Sequence, residues 1–535
     1  MGASTYAVRM GRWVRVGFAV ALAAGGLLSI GASAAVAGAS EGKVLLVGTY
    51  HGKKGQYTTV QAAVDAAKPG DWILVAPGDY HEGDHESGPN HQQAEDGDFG
   101  GVLITTSGLH LRGMDRSTVV IDGTKSGSPE CASTKSDQNF GANSAGRNGV
   151  VVYKADHVSI QNLTVCNFLA GTGSSGNAIW WNGGDDSGKL GMSGYSGSYL
   201  TTTSTYFGGE STAATYGIFS SNATHGTWNE IYASNFNDSG MYVGACQHTC
   251  TATIDNAWME YNALGYSGTN SGGSLVVENS QFDNNEDGFD TNTQISGDPP
   301  APQTGKCPHG GTSPITHTDS CWVFIHNNSH NNNNATTPAA GNAAAGPVGT
   351  GMTISGAHND TVMDNTFATN GAWGTLFVPY PTSGKPSLGQ KCKTVTGTET
   401  TTLKLGCVFD PEGDTLLDNT YTHDGYFGNP TNGDFGQITL NAGEPQNCYG
   451  GNTAPDGSTP SDLETAQPIA TCGKPTAAAN TGGTLLTQVL CDTGFGSCPT
   501  GANYPKLSKV VMHPLPKVPT MPDPCKGVPA NAWCT

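Results

Sequence analysis

The chain has 535 residues, 76 of them glycine, and its 44 Asp and Glu residues against 24 Lys and Arg residues give a formal net charge of −20 at pH 7. A chain this acidic repels nucleic acid and anionic membranes, because binding to either depends on Lys and Arg side chains that neutralise phosphates. It would also repel an anionic polysaccharide unless a divalent cation bridged the two.

The first 37 residues have the pattern of a secretory signal peptide. Three arginines precede a short apolar run rich in Ala and Gly, and Ala35 and Ala37 supply the small residues of a cleavage site. The alternative is a membrane anchor, but the run is short for a membrane span, and no later stretch is long and apolar enough. We therefore predict a secreted monomer, extracellular or at the cell surface, that does not insert into a membrane after signal removal.

All fourteen cysteines follow the signal peptide, and an even number in an exported chain predicts disulfides. A zinc site is the weaker alternative, because no pair of CxxC motifs occurs. Connectivity cannot be deduced from sequence, but close neighbours predict four local pairs: Cys246–Cys250, Cys307–Cys321, Cys392–Cys407 and Cys491–Cys498.

A single helix is predicted near the start of the mature chain, in the segment "YTTVQAAVDAAKPGDWILVAPGDYHE". Val60, Ala63, Val64 and Ala67 fall on one face at helical spacing, and the Pro-Gly pair at 69–70 ends the helix. The following "WILVAPG" reads as a strand. Most of the later chain alternates short apolar segments with Asn, Asp and Gly.

A repeat of about two dozen residues organises that later part. Asn237, Asn262 and Asn285 lie 25 and then 23 residues apart, and each is followed three positions later by a glycine. This period suits one coil of a parallel β-helix, in which polar residues at the same turn stack as a ladder. The alternative, an antiparallel sandwich with turns every 8 to 12 residues, does not predict Asn and Gly in register at this longer spacing.

The helix-containing segment, followed by "LHLRGMDRSTVVIDG", resembles the N-terminal cap and first coils of right-handed β-helix proteins of the pectate-lyase-like superfamily. The stretch "TVMDNTFATNGAWG" resembles the generic repeat of that superfamily. The resemblance implies an all-β, single-stranded right-handed parallel β-helix (a solenoid) with an N-terminal cap helix and disulfide-rich loops and tail. It does not imply one activity, because lyases, hydrolases, epimerases and adhesins share the fold.

The predicted organisation has four parts. Residues 1–37 form the signal peptide, 38–56 a lead-in, 57–430 the β-helix with its cap, and 431–535 a Cys-, Pro- and Gly-rich tail or cap. Two irregular stretches, 183–212 and 294–320, are predicted to be loops that project from the coils, where such folds build binding surfaces.

The stretch "NSQFDNNEDGFDTNT" at 279–293 is the most acidic part of the repeat. If Phe289 points inward, the alternation of strand side chains sends Asp290 outward. Asp283, Glu286, Asp287 and Asp290 then offer oxygen ligands suited to Ca²⁺. The string "EDGFD" also resembles the acidic calcium-binding segment of polysaccharide lyase family nine, which implies that Asp287 and Asp290 are the ligands. The alternative is a solvated turn.

Catalytic candidates follow from two chemistries. A lyase needs a base near a uronate, and Lys154 is the candidate, although it is not in register with Asp287. A glycosidase needs two facing carboxylates, and Asp238 and Glu286 align two coils apart.

Aromatic residues are candidates for substrate binding. Trp180 and Trp181 fall on opposite faces if their segment is a strand, so that one ring is a candidate surface for stacking on a sugar. Tyr242 occupies the position of Asp290 two coils earlier, so it is a further candidate for contact with substrate. The alternative for the two tryptophans is burial under the following loop.

The sequence therefore predicts a secreted β-helix that binds or cleaves an extracellular polysaccharide, as a Ca²⁺-assisted lyase. A non-catalytic cell-surface or matrix β-helix is the first alternative. A glycoside hydrolase or epimerase that uses paired carboxylates is the second.

Overall fold

The computed structural model describes residues 42–83, 100–172, 176–184, 190–246, 250–269, 271, 273–292, 317, 320–341, 343–382, 407–409, 411–438, 447–455, 470–472 and 483–534. The predicted signal peptide and most of the predicted loop at 294–320 lie outside these residues. Within the described ranges, strands dominate the secondary structure, with two α-helices and short 3₁₀ turns at Ala142–Ser144, Glu210–Thr212 and Ala343–Ala345.

One face of the molecule is a ten-stranded parallel sheet, called sheet 1. Its strands, in chain order, are β6 (Gly100–Ile104), β9 (Asn148–Tyr153), β11 (Asn177–Asn182), β13 (Tyr216–Ser221), β15 (Ser239–Gly244), β17 (Leu264–Thr269), β20 (Asp287–Asn292), β23 (Thr350–Ser355), β26 (Trp373–Val378) and β31 (Gly433–Gln437).

The other nineteen stacked strands form one bent sheet, with two rows of parallel pairings. Row 2 contains β1 (Val44–Val47), β4 (Trp72–Val75), β7 (His110–Gly113), β18 (Leu275–Glu278), β21 (Trp322–Ile325), β24 (Thr361–Met363), β29 (Thr415–Leu417), β32 (Cys448–Gly450) and β33 (Ala470–Thr471). Row 3 contains β5 (Gly78–Tyr80), β8 (Val119–Asp122), β19 (Gln281–Asp283), β22 (Asn328–His330), β25 (Thr366–Ala368) and β30 (Thr420–Thr422). Four long strands serve both rows: β10 (Ser159–Cys166), β12 (Met192–Thr203), β14 (Ala223–Ser234) and β16 (Ala252–Glu260). The prediction that 183–212 is a projecting loop was therefore wrong for the residues of β12, which pair with β10 and β14.

A single left-handed residue bends each of these long strands from row 2 into row 3. Asn162, Tyr199, Glu230 and Asn256 have φ values between 52° and 58° at the bend. The chain then passes from row 3 to sheet 1 and back to row 2, so every turn of the chain adds one coil. The predicted right-handed parallel β-helix is confirmed, and antiparallel pairing among the described strands is confined to two small hairpins, β2 (Thr49–Tyr50) with β3 (Lys53–Lys54) and β27 (Tyr380–Thr382) with β28 (Cys407–Phe409).

The predicted cap helix is α1 (Val60–Ala66), which begins after the N-cap Thr59. Val60, Ala63 and Val64 are buried against the first coils. Gln61 accepts a hydrogen bond from the Leu103 N–H at 2.7 Å and donates to the Leu103 carbonyl at 3.2 Å, so it occupies the free edge of β6. Covering that edge removes the unpaired backbone groups that promote edge-to-edge association.

The predicted asparagine ladder exists, with one correction. Asn262 and Asn285 stack, and the column continues through Asn332 and Asn370 to Asp424, with side-chain contacts of 3.0 to 3.2 Å. The place before Asn262 is taken by Phe236, whose N–H donates to Asn262 Oδ1 at 3.1 Å. Asn237 lies one residue further along and donates instead to the Glu210 carbonyl. The prediction for Asn237 was wrong because this turn contains one extra residue.

The glycines of the repeat are required for a different reason from the asparagines. A Cβ atom on Gly265 would lie 2.3 Å from the Gly288 carbonyl oxygen, and a Cβ on Gly288 would lie 2.4 Å from that of Gly351. Successive coils therefore approach too closely at this point for any side chain. Glycine is required here by space and not by backbone conformation.

The β-helix extends beyond both predicted boundaries. β1 lies in the predicted lead-in yet pairs with β4, so residues 44–47 already belong to the coils. At the other end, β31 pairs with β26, and β32 and β33 continue row 2. The coils therefore extend from residue 44 to residue 471.

The C-terminal region has two parts. Helix α2 (Gly483–Asp492) packs Leu485 and Val489 on the outer face of sheet 1, against Trp373 and Leu376. Residues 505–534, called the return segment, then run back along the molecule. The contacts of the return segment begin at Ala335, pass Asn235 and Asn162, and end at Lys53.

Two of the four predicted disulfides are present, Cys246–Cys250 and Cys491–Cys498. Cys307 and Cys392 lie outside the described residues, so those two pairs stay predictions. Three further disulfides were not predicted: Cys131–Cys166, Cys448–Cys472 and Cys525–Cys534. Among the described residues, no helix is long and apolar enough to cross a membrane.

Candidate active site

One register position on sheet 1 carries a row of neighbouring side chains on successive strands: Trp180, Phe219, Tyr242, Ser267 and Asp290. Strand side chains alternate between the two faces of a sheet. Phe289, next to Asp290, stacks on Tyr266 in the core with ring centroids 4.3 Å apart. The row itself therefore faces outward, as predicted for Asp290.

The first part of this row is aromatic. Trp180 stacks on Phe219 with ring centroids 4.9 Å apart and planes 17° apart, and Phe219 meets Tyr242 edge-on at 4.9 Å. Tyr216 joins them, 4.6 Å from Phe219 and 5.3 Å from Tyr242. Phe219, Tyr242 and Tyr216 are partly exposed, so their rings form an outward apolar surface on sheet 1.

Asp238 lies at the end of this aromatic surface, immediately before β15. Its carboxylate accepts a hydrogen bond from the Tyr216 hydroxyl at 3.1 Å and interacts with the hydroxyls of Ser239 and Ser267. Burial raises the pKa of Asp238 to about 6, and the carboxylate of Asp290 adds to the increase. Asp238 is therefore a carboxylic acid that retains its proton nearly to neutral pH.

Asp290 is the second carboxylate at this place. Ser355 donates to Asp290 Oδ1 at 2.7 Å, and Ser267 lies beside it in register. Tyr380, from the hairpin that follows β26, has a raised pKa because of burial, to which Asp290 and then Asp238 contribute. The tyrosine therefore lies within electrostatic reach of both carboxylates. We call Tyr216, Asp238, Asp290 and Tyr380 the carboxylate–tyrosine cluster.

Two further acids near Asp290, Glu286 and Asp287, are buried. Asp287 accepts hydrogen bonds from the Thr353 hydroxyl and the Phe289 N–H, while Glu286 accepts one from Thr337. Burial raises the pKa of both acids well above the ordinary values. The carboxylates of Asp287 and Asp492 add to the increase for Glu286, and those of Asp290 and Asp492 add to the increase for Asp287.

The four predicted calcium ligands do not form one site. Asp283 belongs to row 3, where it accepts hydrogen bonds from Trp258 Nε1 at 2.7 Å and Gln281 Nε2 at 2.9 Å, whereas Asp287 and Asp290 belong to sheet 1. Within the described ranges, none of the groups of three convergent ligands includes any of these four acids. Asp287 and Asp290 do lie close enough for the charge of Asp290 to raise the pKa of Asp287, so calcium binding by this pair stays a prediction. A thermal melt with calcium and with EDTA is the direct test.

The predicted pair of Asp238 and Glu286 is corrected. The two residues do occupy equivalent positions two coils apart, since Ser239 pairs with Leu264 and Leu264 with Asp287. Their side chains diverge, however, because Glu286 turns toward Thr337 while Asp238 turns toward Tyr216. The carboxylate that contributes to the raised pKa of Asp238 is that of Asp290.

Lys154 is not part of this site. It follows β9, is exposed, and places its ammonium 4.8 Å from the Tyr153 ring centroid. Five strand steps of sheet 1 separate β9 from β20, about 24 Å at a spacing of about 4.8 Å. Lys154 therefore cannot act as a base near Asp290.

Trp180 and Trp181 point to opposite faces of sheet 1, as predicted. The prediction that Trp181 contacts substrate was wrong. Trp181 is fully buried and packs with Tyr195 and Trp228 in the core. Trp180 does face outward but is only 7% exposed, with Nε1 bonded to Ser221 at 3.1 Å. It supports Phe219 and is not itself an open platform.

Three residues of the site were missed at the level of sequence. Tyr216 and Phe219 lie in "TYGIFS", where the apolar pattern gave no reason to place aromatic rings outside. Tyr380 precedes an irregular stretch, so nothing local indicated its return to sheet 1. Only the pairing of distant strands brings these side chains to Asp238.

The fold and this site define a parallel β-helix whose outer face carries adjacent carboxylates beside partly exposed aromatic rings. No protein family and no curated protein matches the chain.

Solved structures do resemble it. The A-module of the Azotobacter vinelandii mannuronan C-5 epimerase AlgE4 is 13% identical, with 74% of this chain and 91% of that chain covered and a TM-score of 0.43. An alginate lyase from Paenibacillus sp. str. FPU-7 is 13% identical, with 74% and 96% covered and a TM-score of 0.35. The tailspike protein of E. coli bacteriophage HK620, in complex with a pentasaccharide, is 12% identical, with 77% and 58% covered and a TM-score of 0.39. At such low identity and TM-score, these similarities carry no argument about activity.

Proposed function

We propose that the protein binds a polysaccharide on the outer face of sheet 1 and hydrolyses it at the carboxylate–tyrosine cluster. The observation that supports this most is the electrostatic interaction of Asp238 with Asp290 at the end of an aromatic surface. Glycoside hydrolysis uses two carboxyl groups on either side of the scissile bond. Aromatic rings hold the apolar faces of sugars in the same kind of site.

The two carboxyl groups have different surroundings and therefore different roles. Asp238, whose pKa is raised to about 6 by burial, is the general acid that protonates the departing glycosidic oxygen. Asp290, held by the Ser355 hydroxyl, is the carboxylate that attacks the sugar or activates a water molecule. If Asp290 attacks the sugar, water then cleaves the glycosyl–enzyme bond and returns a proton to Asp238. If Asp290 activates water, it takes a proton from that water, and Asp238 regains its own from solvent.

The two tyrosines position the acids. The Tyr216 hydroxyl donates to Asp238 Oδ2 and so orients the other carboxyl oxygen, Oδ1, for proton transfer. Tyr380 arrives from a hairpin outside the coils and faces both carboxylates. A side chain in that place reduces the access of water to the acid pair, which strengthens the electrostatic interactions inside the site.

The Ca²⁺-assisted lyase is less well supported. Proton abstraction beside a uronate carboxylate requires a nearby base, and the candidate Lys154 lies about 24 Å away. A non-catalytic surface protein would not need two carboxylates at one end of an aromatic surface. We also infer an extracellular location, because five disulfides lie wholly within the described residues and such bonds persist in oxidising compartments.

The test is a screen of the purified protein on neutral and anionic polysaccharides, with reducing ends and unsaturated products both measured. We expect new reducing ends without unsaturated products. Asp238→Asn should lower the rate by a factor of about a hundred or more, the usual contribution of a general acid.

The matched control is Asp255→Asn, on row 2, where the Asp255 carboxylate bonds Asn229 and Asn279. It should retain the full rate. Unsaturated products would instead establish a lyase, and binding without any cleavage would establish the non-catalytic alternative.

A further inference from the structure

A separate group of metal-ligating side chains lies on row 3 of the first two coils. Asp79 is in β5, His81 directly follows β5, and Asp122 ends β8. Because Tyr80 pairs with Ile121 in register, His81 comes next to Asp122 on the neighbouring coil. One carboxylate oxygen of each aspartate and one ring nitrogen of the histidine all lie within 4.8 Å of one another. None of these residues belongs to the carboxylate–tyrosine cluster.

The histidine is held in the orientation that a metal ligand requires. His81 Nδ1 lies 3.2 Å from the backbone carbonyl oxygen of Thr124. In the tautomer with the proton on Nδ1, this nitrogen donates to the carbonyl. The Thr124 hydroxyl lies 3.4 Å from the same nitrogen, and Nε2 is directed at Asp79. Metal-binding histidines commonly fix their tautomer in this way, with the second nitrogen donating to a backbone carbonyl.

The distance between His81 and Asp79 suits two ligands of one ion. Nε2 lies 3.0 Å from Asp79 Oδ2. Two ligand atoms about 2.0 Å from a tetrahedral zinc ion are about 3.3 Å apart, which is close to the observed separation. Without a proton or a cation between them, the lone pair of Nε2 and the carboxylate would repel each other.

Asp122 is fixed in place before any ion arrives. It is fully buried, and its two oxygens accept hydrogen bonds from the backbone N–H groups of Thr124 at 2.7 Å and Cys131 at 2.6 Å. Cys131 is itself tied to Cys166 by a disulfide. Each oxygen keeps a second lone pair, so the carboxylate can also bind a cation.

The surroundings are negative and open to solvent on one side. Burial raises the pKa of Asp79 and of Glu130, and nearby carboxylates, Asp122 among them, add to both shifts. The side chains of His81 and Asp79 are 12% and 26% exposed, so an ion can enter from water. A cation at this point would offset the repulsion among the carboxylates.

We propose that Asp79, His81 and Asp122 bind one divalent first-row transition-metal ion, of which Zn²⁺ is the best fit. A set of one imidazole nitrogen and two carboxylate oxygens favours such ions over Ca²⁺ and Mg²⁺, which prefer oxygen ligands alone. The ion links the first coil to the second, beside the Cys131–Cys166 disulfide. Its role is to hold the first two coils together, and this is independent of the function proposed for sheet 1.

The test uses the tag-free full chain, treated with EDTA and dialysed, and titrated with ZnCl₂ by calorimetry. We expect one strong equivalent of Zn²⁺ and a higher melting temperature in its presence, with a much smaller response to MgCl₂ or CaCl₂. His81→Gln and Asp79→Asn should each weaken binding at least tenfold. Both positions are at the surface of the coil, so the variants should keep the circular dichroism of the parent.

The matched control is His326→Gln. His326 Nε2 faces Asp364 Oδ2 at 4.0 Å, and this pair belongs to none of the three-ligand groups found in the described residues. The control should bind Zn²⁺ as the parent does. If the parent shows no strong equivalent, or if His81→Gln binds as tightly as the parent, the group is only a salt bridge between a charged histidine and Asp79, and the proposal is wrong.

Discussion

Sheet 1 and row 3 carry similar side chains on their outer faces, but they use them differently. On row 3, Glu260 and Asp283 are neighbours in register, next to Tyr232 and Trp258. Both acids are almost fully buried, at 5% and 4% exposure, and bond Tyr232 and Trp258 at 2.7 Å. On sheet 1, Asp238 stays partly exposed. Paired carboxylates beside aromatic rings therefore do not by themselves define a site.

The return segment accounts for part of this difference. His513 stacks on Tyr261, next to Glu260, with ring centroids 3.7 Å apart and planes 3° apart. Its backbone also exchanges two hydrogen bonds of 2.9 Å with the side chain of Asn235. Row 3 is thus covered by the chain itself near its acid pair, whereas the aromatic surface of sheet 1 is left partly open.

The largest expected difference between the two regions is in the rate of hydrolysis after one acid in each is replaced by asparagine. Asp290→Asn should reduce hydrolysis by a factor of about a hundred or more, because a carboxylate that attacks or activates water is lost. Asp283→Asn should leave the rate unchanged, because its carbonyl still accepts from Trp258. Rates of reducing-end release by the two variants measure this directly. Equal losses would mean that row 3 also acts on the substrate.

At its far end the return segment covers row 2 instead of row 3. Trp533 is 7% exposed and packs on Leu46, Leu74 and Met114. Trp533→Ala should lower the free energy of unfolding by about 3 to 5 kcal/mol, the usual cost of truncating a buried tryptophan. Urea unfolding provides the value. Phe495→Ala, at a residue that is 75% exposed, is the control and should cost almost nothing.

The pH dependence of stability should differ between the two acid pairs. A carboxyl group whose pKa is higher in the folded state stabilises the fold below its unfolded pKa, and this contribution is lost as the pH rises through the folded pKa. For Asp238 that window runs from about 4 to about 6, and for Glu260 from about 4.3 to about 7. Stability should therefore fall from acid to neutral pH.

Two variants separate the contributions of the two regions. Asp238→Asn should flatten the lower part of the curve, and Glu260→Gln should flatten the part that reaches neutral pH. Urea unfolding at several pH values measures both changes. A parent protein that becomes more stable toward neutral pH would contradict the raised pKa of these acids.

The smallest effect concerns the acid that ends the ladder. Asp424 Oδ1 accepts from Asn370, but among the described residues Oδ2 has no hydrogen-bond partner. Asp424→Asn replaces Oδ2 with a donor like those of the asparagines before it, so it should add about 1 kcal/mol at neutral pH. Thermal melts compare it with Asn370→Asp, which should be destabilising. A loss of stability in Asp424→Asn would show that the acid has a partner of its own.

The fold was readable from the sequence because stacking imposes a constraint on every coil. Gly265 and Gly288 are needed where backbones touch, and Asn262 and Asn285 are needed where turns stack, so both recur in register. The outward direction of Asp290 followed from simple alternation. These features depend only on neighbours along the chain or one coil away.

The site was less readable because it depends on turn lengths and on distant segments. The extra residue at Asn237 does not alter the local pattern, yet it decides which residue joins the ladder. Asp238 interacts electrostatically with Asp290, which lies two coils away, and Tyr380 interacts with both from a hairpin. Trp533 packs against Leu46, Leu74 and Met114, from which it is separated by 419 to 487 residues in sequence, and no periodic pattern indicates this contact.

The position of Trp533 also bears on how the protein is made. The outer apolar patch of the first coils, formed by Leu46, Leu74 and Met114, stays uncovered until residues 525–534 are available. A chain that emerges from its N-terminus must therefore carry this patch open while every coil is completed. A molecule cut short by early termination or by a protease keeps the patch exposed. Quality-control chaperones that bind apolar surface can thus tell an unfinished molecule from a complete one.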